Sequence, residues 1–286
     1  MKFGTYFSGV GEFSNATLIA NLAYEAEENG WDGAFIWDHI AQPYTAVDPW
    51  VTLAAMTMKT KRIKLGPIVT PIARRHPWKL ARETVTLDHL SSGRLVLGVG
   101  LGYSNAEFDT FGEDSNQKNQ AEKTDEGLDV LMGLWSGKIF NYKGKYYRIK
   151  DAQFLPRPLQ SPRIPIWICG GWPKKKAPFR RASQWDGIVA ICTENRAISP
   201  DEIAEIKRYI ANYRISRDPF EIVVILWSEG IHTQEEQNEV ERYENAGVTW
   251  WLEDLSIERF QTIGDVRTRL HKGPPGLVYK RIVAQH

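Results

Sequence analysis

The sequence predicts a single (β/α)₈ TIM barrel, an α/β fold with a small insertion between the fourth helix and the fifth strand. Three observations carry that prediction. Short strand-like runs alternate with longer segments of helical apolar spacing, the alternation recurs eight times, and the strand-like runs are apolar throughout. Such runs suit a parallel sheet that helices cover from outside and side chains fill from within. An open doubly wound sheet usually needs fewer units and leaves two edges exposed, so the repeat favours closure. The 286 residues fit one barrel domain over 1–286.

The elements follow in order. Residues 2–7 read as a strand that runs into Gly9 and Gly11. Leu18, Ile19, Leu22, Ala23 and Ala26 then recur with helical spacing over 16–28, and Gly30 ends the run. Strand 33–37 precedes helix 50–59, strand 63–65 precedes helix 78–90, and strand 95–99 precedes a helix near 123–134. In the second half, strands are expected at 164–168, 187–191, 221–227 and 248–252, with helices near 178–184, 201–213, 234–245 and 257–270. The insertion, 136–163, holds alternating aromatics around Lys143-Gly144, which suggest a hairpin. Pro156, Pro158, Pro162 and Pro165 then suggest a rigid return, and the piece is expected near the barrel mouth.

Composition excludes several classes. Hydrophobic residues make up 42 % and charged residues 25 %, which is no disordered chain. Lys and Arg number 36 against 35 Asp and Glu, so no broad field attracts nucleic acid. Cys169 and Cys192 form no CxxC pair and read as reduced thiols, and no segment approaches the ~20 apolar residues of a membrane span. A cytoplasmic protein is expected. The six histidines are scattered without a ligand pattern, so no metal site is expected, and no nucleophile elbow supports serine hydrolysis.

Barrel active sites are built from the loops after the strand carboxyl ends, and four such stretches stand out. Trp37-Asp38-His39 follows strand two: His39 is a candidate proton donor or relay, and Asp38 a carboxylate able to fix its tautomer. Between strand three and its helix, Thr70 can hydrogen-bond a heterocycle, Arg75 can bind an anion or pair with an acid, and Ile68 can lie in a bulge against a planar ring. In Gly98-Val99-Gly100-Leu101-Gly102-Tyr103, small residues permit close approach by a ligand, and no helix is expected for about fifteen residues beyond. Finally, Gly170 and Gly171 lead toward a helix start and the basic run from Lys174, a candidate phosphate cradle that competes with a plain solvated surface. Asp38 and Glu107 are a further candidate acid/base pair, and Trp37, Tyr44, Trp50, Tyr103 and Trp172 a candidate aromatic pocket. A flat redox ring with a phosphate tail would use the glycines, the cradle and the aromatics together.

At these residues the sequence resembles the bacterial luciferase-like superfamily, over nearly the whole chain. The resemblance is carried by Arg74-Arg75-His76-Pro77, by 87–94, by 97–103 with Glu107-Phe108, and by Ile168-Cys169-Gly170-Gly171 and 246–251. It implies a cofactor ring near the barrel mouth, with Asp38, His39, Ile68, Thr70, Gly100, Gly102, Tyr103, Gly170 and Gly171 as contacts. Two branches compete. The flavin branch implies an FMN-dependent monooxygenase acting on a small organic substrate, with a flavin reductase as partner. The deazaflavin branch implies hydride transfer between coenzyme F420 and a small organic substrate. Leu101 stands where some flavin members place an arginine, and Tyr103 where deazaflavin sugar-phosphate dehydrogenases have a glutamate. The 102–108 stretch and Phe111-Gly112 look like the flavin members, so FMN is preferred and F420 is the alternative. A homodimer is expected from the resemblance and the apolar helices around 50–90. A noncatalytic flavin-binding protein, or a hydrolase or lyase on the same scaffold, would differ in consuming no redox donor.

Overall fold

The computed structural model describes residues 1–40, 46–102, 105–194 and 196–276. Parallel strands β1 (Lys2–Phe7), β2 (Gly33–Ile36), β3 (Lys64–Pro67), β4 (Thr70–Pro71) and β5 (Leu97–Gly100) come first. The antiparallel hairpin β6 (Phe140–Lys143) and β7 (Arg148–Ala152) intervenes, and β8 (Ile166–Trp172), β9 (Gly187–Cys192), β10 (Glu221–Leu226) and β11 (Trp250–Asp254) complete the sheet. Its order is β3-β2-β1-β11-β10-β9-β8-β5-β4, and β3 and β4 are two halves of one barrel strand.

Closure occurs where that strand meets β5. Val96 N–H donates to the Leu65 carbonyl at 2.8 Å, Leu65 N–H donates to that of Arg94 at 3.2 Å, and Thr70 then pairs with Val99. Eight parallel barrel strands result, as predicted. The seam is tight because its strands carry glycine: a Cβ on Gly66 would collide with the Val96 carbonyl oxygen, and one on Gly98 with that of Pro67. Ile68 and Val69 interrupt the strand and are joined by a cis peptide bond, so Ile68 sits in the irregular backbone expected of it.

The helices are α1 (Ala16–Glu28), α2 (Pro49–Lys59), α3 (Pro77–Leu90), α4 (Asn105–Asp109), α5 (Gln117–Trp135), α6 (Ala177–Ala182), α7 (Pro200–Ala211), α8 (Gln234–Ala246) and α9 (Ile263–His271). Their starts obey local chemistry. Asn15, Asp48, Ser199, Thr233 and Thr262 accept amides of the first turns of α1, α2, α7, α8 and α9, and proline opens α2, α3 and α7. The core has two parts. One cluster fills the space between strands and helices, and a smaller one, including Phe35, Ile68, Trp167, Val223 and Trp250, fills the barrel lumen. Phe35, Trp167 and Trp250 meet pairwise with ring centroids 5.5–5.8 Å apart and plug that lumen.

The bounds of several elements differ from those expected. Strand five runs to Trp172 rather than ending at residue 168. The last helix begins at Ile263, after a turn. A short helix, α4, opens at Asn105, where none was expected. The insertion packs against α3 and α5. Glu126 of α5 accepts the amides of Lys145, Tyr146 and Tyr147, Arg82 of α3 donates to the Leu155 carbonyl, and Gln160 donates to Asp88 and to the Leu95 carbonyl. Its Tyr146–Tyr147 turn meets the rim, in a cavity of about 510 Å³ with Arg74, His76, Trp78 and Phe108.

Candidate active site at the strand carboxyl ends

Asp38 and His39 follow β2, and each meets a different acid–base partner. Asp38 is buried and accepts from Arg75 Nη2 at 2.8 Å, from Thr70 Oγ1 at 2.7 Å and from Trp50 Nε1 at 3.3 Å. Its oxygens are thus committed to holding the loops after β2 and β4 together. His39 Nδ1 lies 3.2 Å from Glu107 Oε1, which also accepts the Ile40 amide at 3.1 Å. Arg74 Nη1 donates to Glu107 Oε2 at 3.4 Å, while Arg74 Nη2 lies 3.7 Å from Asp38 with no hydrogen-bond partner among the described residues. Two adjacent arginines therefore hold two buried carboxylates.

This corrects the expected pairing. Asp38 was the carboxylate expected to orient His39, and Glu107, carried by α4, does so instead. The reason is geometric: α4 brings Glu107 to the imidazole, while Arg75 and Thr70 draw Asp38 away. Thr70 and Arg75, expected to touch a cofactor, spend these donors on Asp38. Glu107 was legible as an acid; its placement was not, because five residues carry no helical periodicity.

The glycines also divide. Gly100 faces the lumen, where a Cβ would meet Val69 Cγ2 at 2.5 Å. Gly102 adopts φ +103°, and a Cβ there would meet the Phe108 ring at 2.6 Å, so glycine is needed for the turn and the close approach of α4. Gly170 faces the other way: a Cβ would touch Pro178 at 2.9 Å and Phe179 at 3.0 Å in the outer layer. Gly170 and Gly171 are paired residues of β8, opposite Ala190 and Ile191 of β9, and the helix beyond them has six residues. Both glycines thus stand within a strand, and not in the loop expected to lead directly into a helix start. Lys174 is exposed on the following turn. Lys175 donates to Gln117 at 3.0 Å, and the Lys176 ammonium covers the Trp172 ring. Trp172 thus faces the outer helices and not a mouth pocket. Tyr103 and Tyr44 lie outside the described residues.

The mouth continues across β1 to β11. The Tyr6 hydroxyl donates to the Ile68 carbonyl at 3.1 Å, and Tyr6 pairs in register with Asp254. Tyr6 meets Trp37 at 5.8 Å between ring centroids, and Trp37 meets His39 at 5.4 Å. Burial, with Asp254 beside it, pushes the Tyr6 phenol well above its usual range, and burial also raises the Asp254 carboxyl. The Cys169 thiol, packed in the lumen, is pushed up to about 12 by burial. Among the described residues no group of side chains is arranged to hold a metal ion, and no helix is long and apolar enough to cross a membrane.

Fold and site together define a closed α/β barrel whose buried polar cluster stands at the carboxyl ends of its strands. The family model described as luciferase-like monooxygenase matches residues 1–268, and the chain belongs to that family. Similar curated proteins include an F420-dependent glucose-6-phosphate dehydrogenase of Nakamurella multipartita, 35 % identical over 181 residues, which are 60 % of this chain and 51 % of that protein. Another of that name, from Amycolatopsis mediterranei, is 30 % identical over 69 % of this chain and 59 % of its own length. The chain thus spans little more than half the length of these relatives. Among solved structures, an F420-dependent secondary alcohol dehydrogenase superposes with TM-score 0.76 at 18 % identity, covering 94 % of this chain and 96 % of that one. A monooxygenase from Streptomyces bottropensis superposes with TM-score 0.67 at 22 % identity, covering 96 % and 84 %. These two likenesses speak to the fold alone.

Proposed function

We propose that the protein is an oxidoreductase that uses coenzyme F420 to transfer hydride to or from a small organic substrate. The observation that carries this reading is the naming of F420 in relatives up to 35 % identical, over a site where a buried carboxylate orients a histidine. It replaces the FMN preference, whose support comes from more distant structures such as the Streptomyces bottropensis monooxygenase. Bound F420 would supply the two-electron hydride chemistry.

This chain's residues do the rest. Ile68, Gly100 and Gly102 would lie against a flat ring at the mouth, and Nη2 of buried Arg74, 3.7 Å from Asp38 and without a hydrogen-bond partner among the described residues, would suit a carbonyl-bearing ring. Lys174 would draw an acidic tail. His39, held by Glu107 at Nδ1, would move the proton that accompanies hydride at the substrate oxygen. Asp38, fixed by Arg75 and Thr70, keeps the His39 loop in place.

Binding is tested by titrating the purified protein with F420 and with FMN, following ring absorbance. Tight F420 and weak FMN binding is expected; the reverse would restore the monooxygenase reading. With coenzyme bound, His39→Ala should lower turnover about 10²-fold while coenzyme affinity holds. Glu107→Gln should lower kcat less, because the imidazole keeps an oxygen acceptor at Nδ1 and loses only its charge. Unchanged single-turnover rates in His39→Ala would remove the proposed proton-transfer role.

A further inference from the structure

Beyond the ends of β10 and β11 a cavity of about 530 Å³ opens, lined by Trp227, Glu229, Asp254, Glu258, Arg259 and Phe260. It adjoins the proposed reaction site through Asp254, which pairs with Tyr6, and Tyr6 leads through Trp37 to His39. Trp227 is 59 % exposed and offers a broad ring face to whatever enters the cavity. Three carboxylates surround that surface. Arg259, the cation among the described lining residues, lies over the rings of Trp227 and Phe260 at 5.4 and 4.6 Å. Its charge is already engaged: Nη1 meets Glu253 Oε1 at 2.6 Å and the Asp254 carbonyl at 3.1 Å, and Nη2 donates to the Ser228 carbonyl. A neighbouring cavity of about 320 Å³ shares Trp227 and Glu229 and adds Glu235 and Glu239. The acidic character therefore extends past the first pocket.

We infer that this aromatic, carboxylate-rimmed cavity is the substrate subsite, and that it takes an apolar organic molecule that is neutral or positively charged and rejects phosphorylated sugars. The inference rests on the proposed redox reading for its chemistry and goes beyond it in naming the substrate class. A phosphate here would face Glu229, Asp254 and Glu258 with no uncommitted cation among the described lining residues. Discrimination would come from like-charge repulsion, and apolar contact on Trp227 would supply affinity. The charge balance thus separates this chain from relatives whose names give glucose-6-phosphate as substrate.

The test uses three probes with one ring: phenethylamine, 2-phenylethanol and phenyl phosphate, titrated calorimetrically into the purified protein with and without F420. Amine and alcohol should bind, with phenyl phosphate weaker than the amine by at least about tenfold. The exposed double substitution Glu229→Gln with Glu258→Gln should cut the preference for amine over phosphate several-fold. Trp227→Ala, at an exposed position, should weaken all three probes, with the thermal transition unchanged. Phenyl phosphate binding as tightly as the amine, a preference indifferent to the double substitution, or no probe binding at millimolar concentration would each overturn the inference. Failure of F420 to bind would remove the redox reading yet leave the probe preference intact, so the two outcomes stay separable.

Discussion

Asp254 stands beside Tyr6 where β1 and β11 pair, and burial holds its carboxyl above the ordinary range. A carboxyl raised by folding has its stabilising share fully present below the unfolded value of about 3.9 and loses it as pH rises through the folded value. Asp254→Asn should therefore raise Tm at pH 7 and leave it nearly unchanged at pH 3, as followed by circular dichroism; an equal shift at both would exclude the titration. Cys169, with its thiol pushed up to about 12, should resist alkylation by iodoacetamide at pH 8 in the native protein and react once unfolded. Single residues were legible where order along the chain set their place. Asp38 and His39 were found because a strand ends there; the exchange of partners was not, because it depends on which side chain α4 and the second arginine bring near.

Elements were read well where periodicity is long and poorly where close packing decides. The eight strand–helix units follow the apolar pattern, whereas the extension of β8 to Trp172 places two glycines inside a strand, where propensity argues for a loop. Packing explains the extension, since Gly170 admits Pro178 and Phe179 of α6 against the sheet. Gly170→Ala should accordingly cost about 1–3 kcal/mol of stability, measured by denaturant unfolding, with little change in coenzyme affinity. Gly66→Ala at the seam should cost more, because its Cβ meets a backbone carbonyl with no freedom to turn away. A seam variant as stable as the parent would mean that β3 and β5 do not approach so closely.

For the whole molecule, the joint between first and last barrel strands of the sheet order is secured from below by Arg94. Its guanidinium is buried and donates to Thr60 Oγ1 and to the carbonyls of Thr57, Thr60, Ile63 and Ser91. Arg94→Ala should cost about 3 kcal/mol or more, since several buried acceptors lose their donor at once. If the barrel is one cooperative unit, the variant should still unfold in a single transition by fluorescence and circular dichroism alike. Closure was legible from the repeat count, and 87–94 as a helix-to-strand turn with Arg94 paired locally; its reach to Thr57, Thr60 and Ile63 was not, because those acceptors lie some thirty residues away in the chain.

Arg74 and Arg75 are neighbours in the chain, yet one reaches the acid of α4 and the other the acid after β2. Adding or losing one residue in 71–77 would rotate both guanidinium groups off their partners together. The length of this connector is therefore as constrained as its composition.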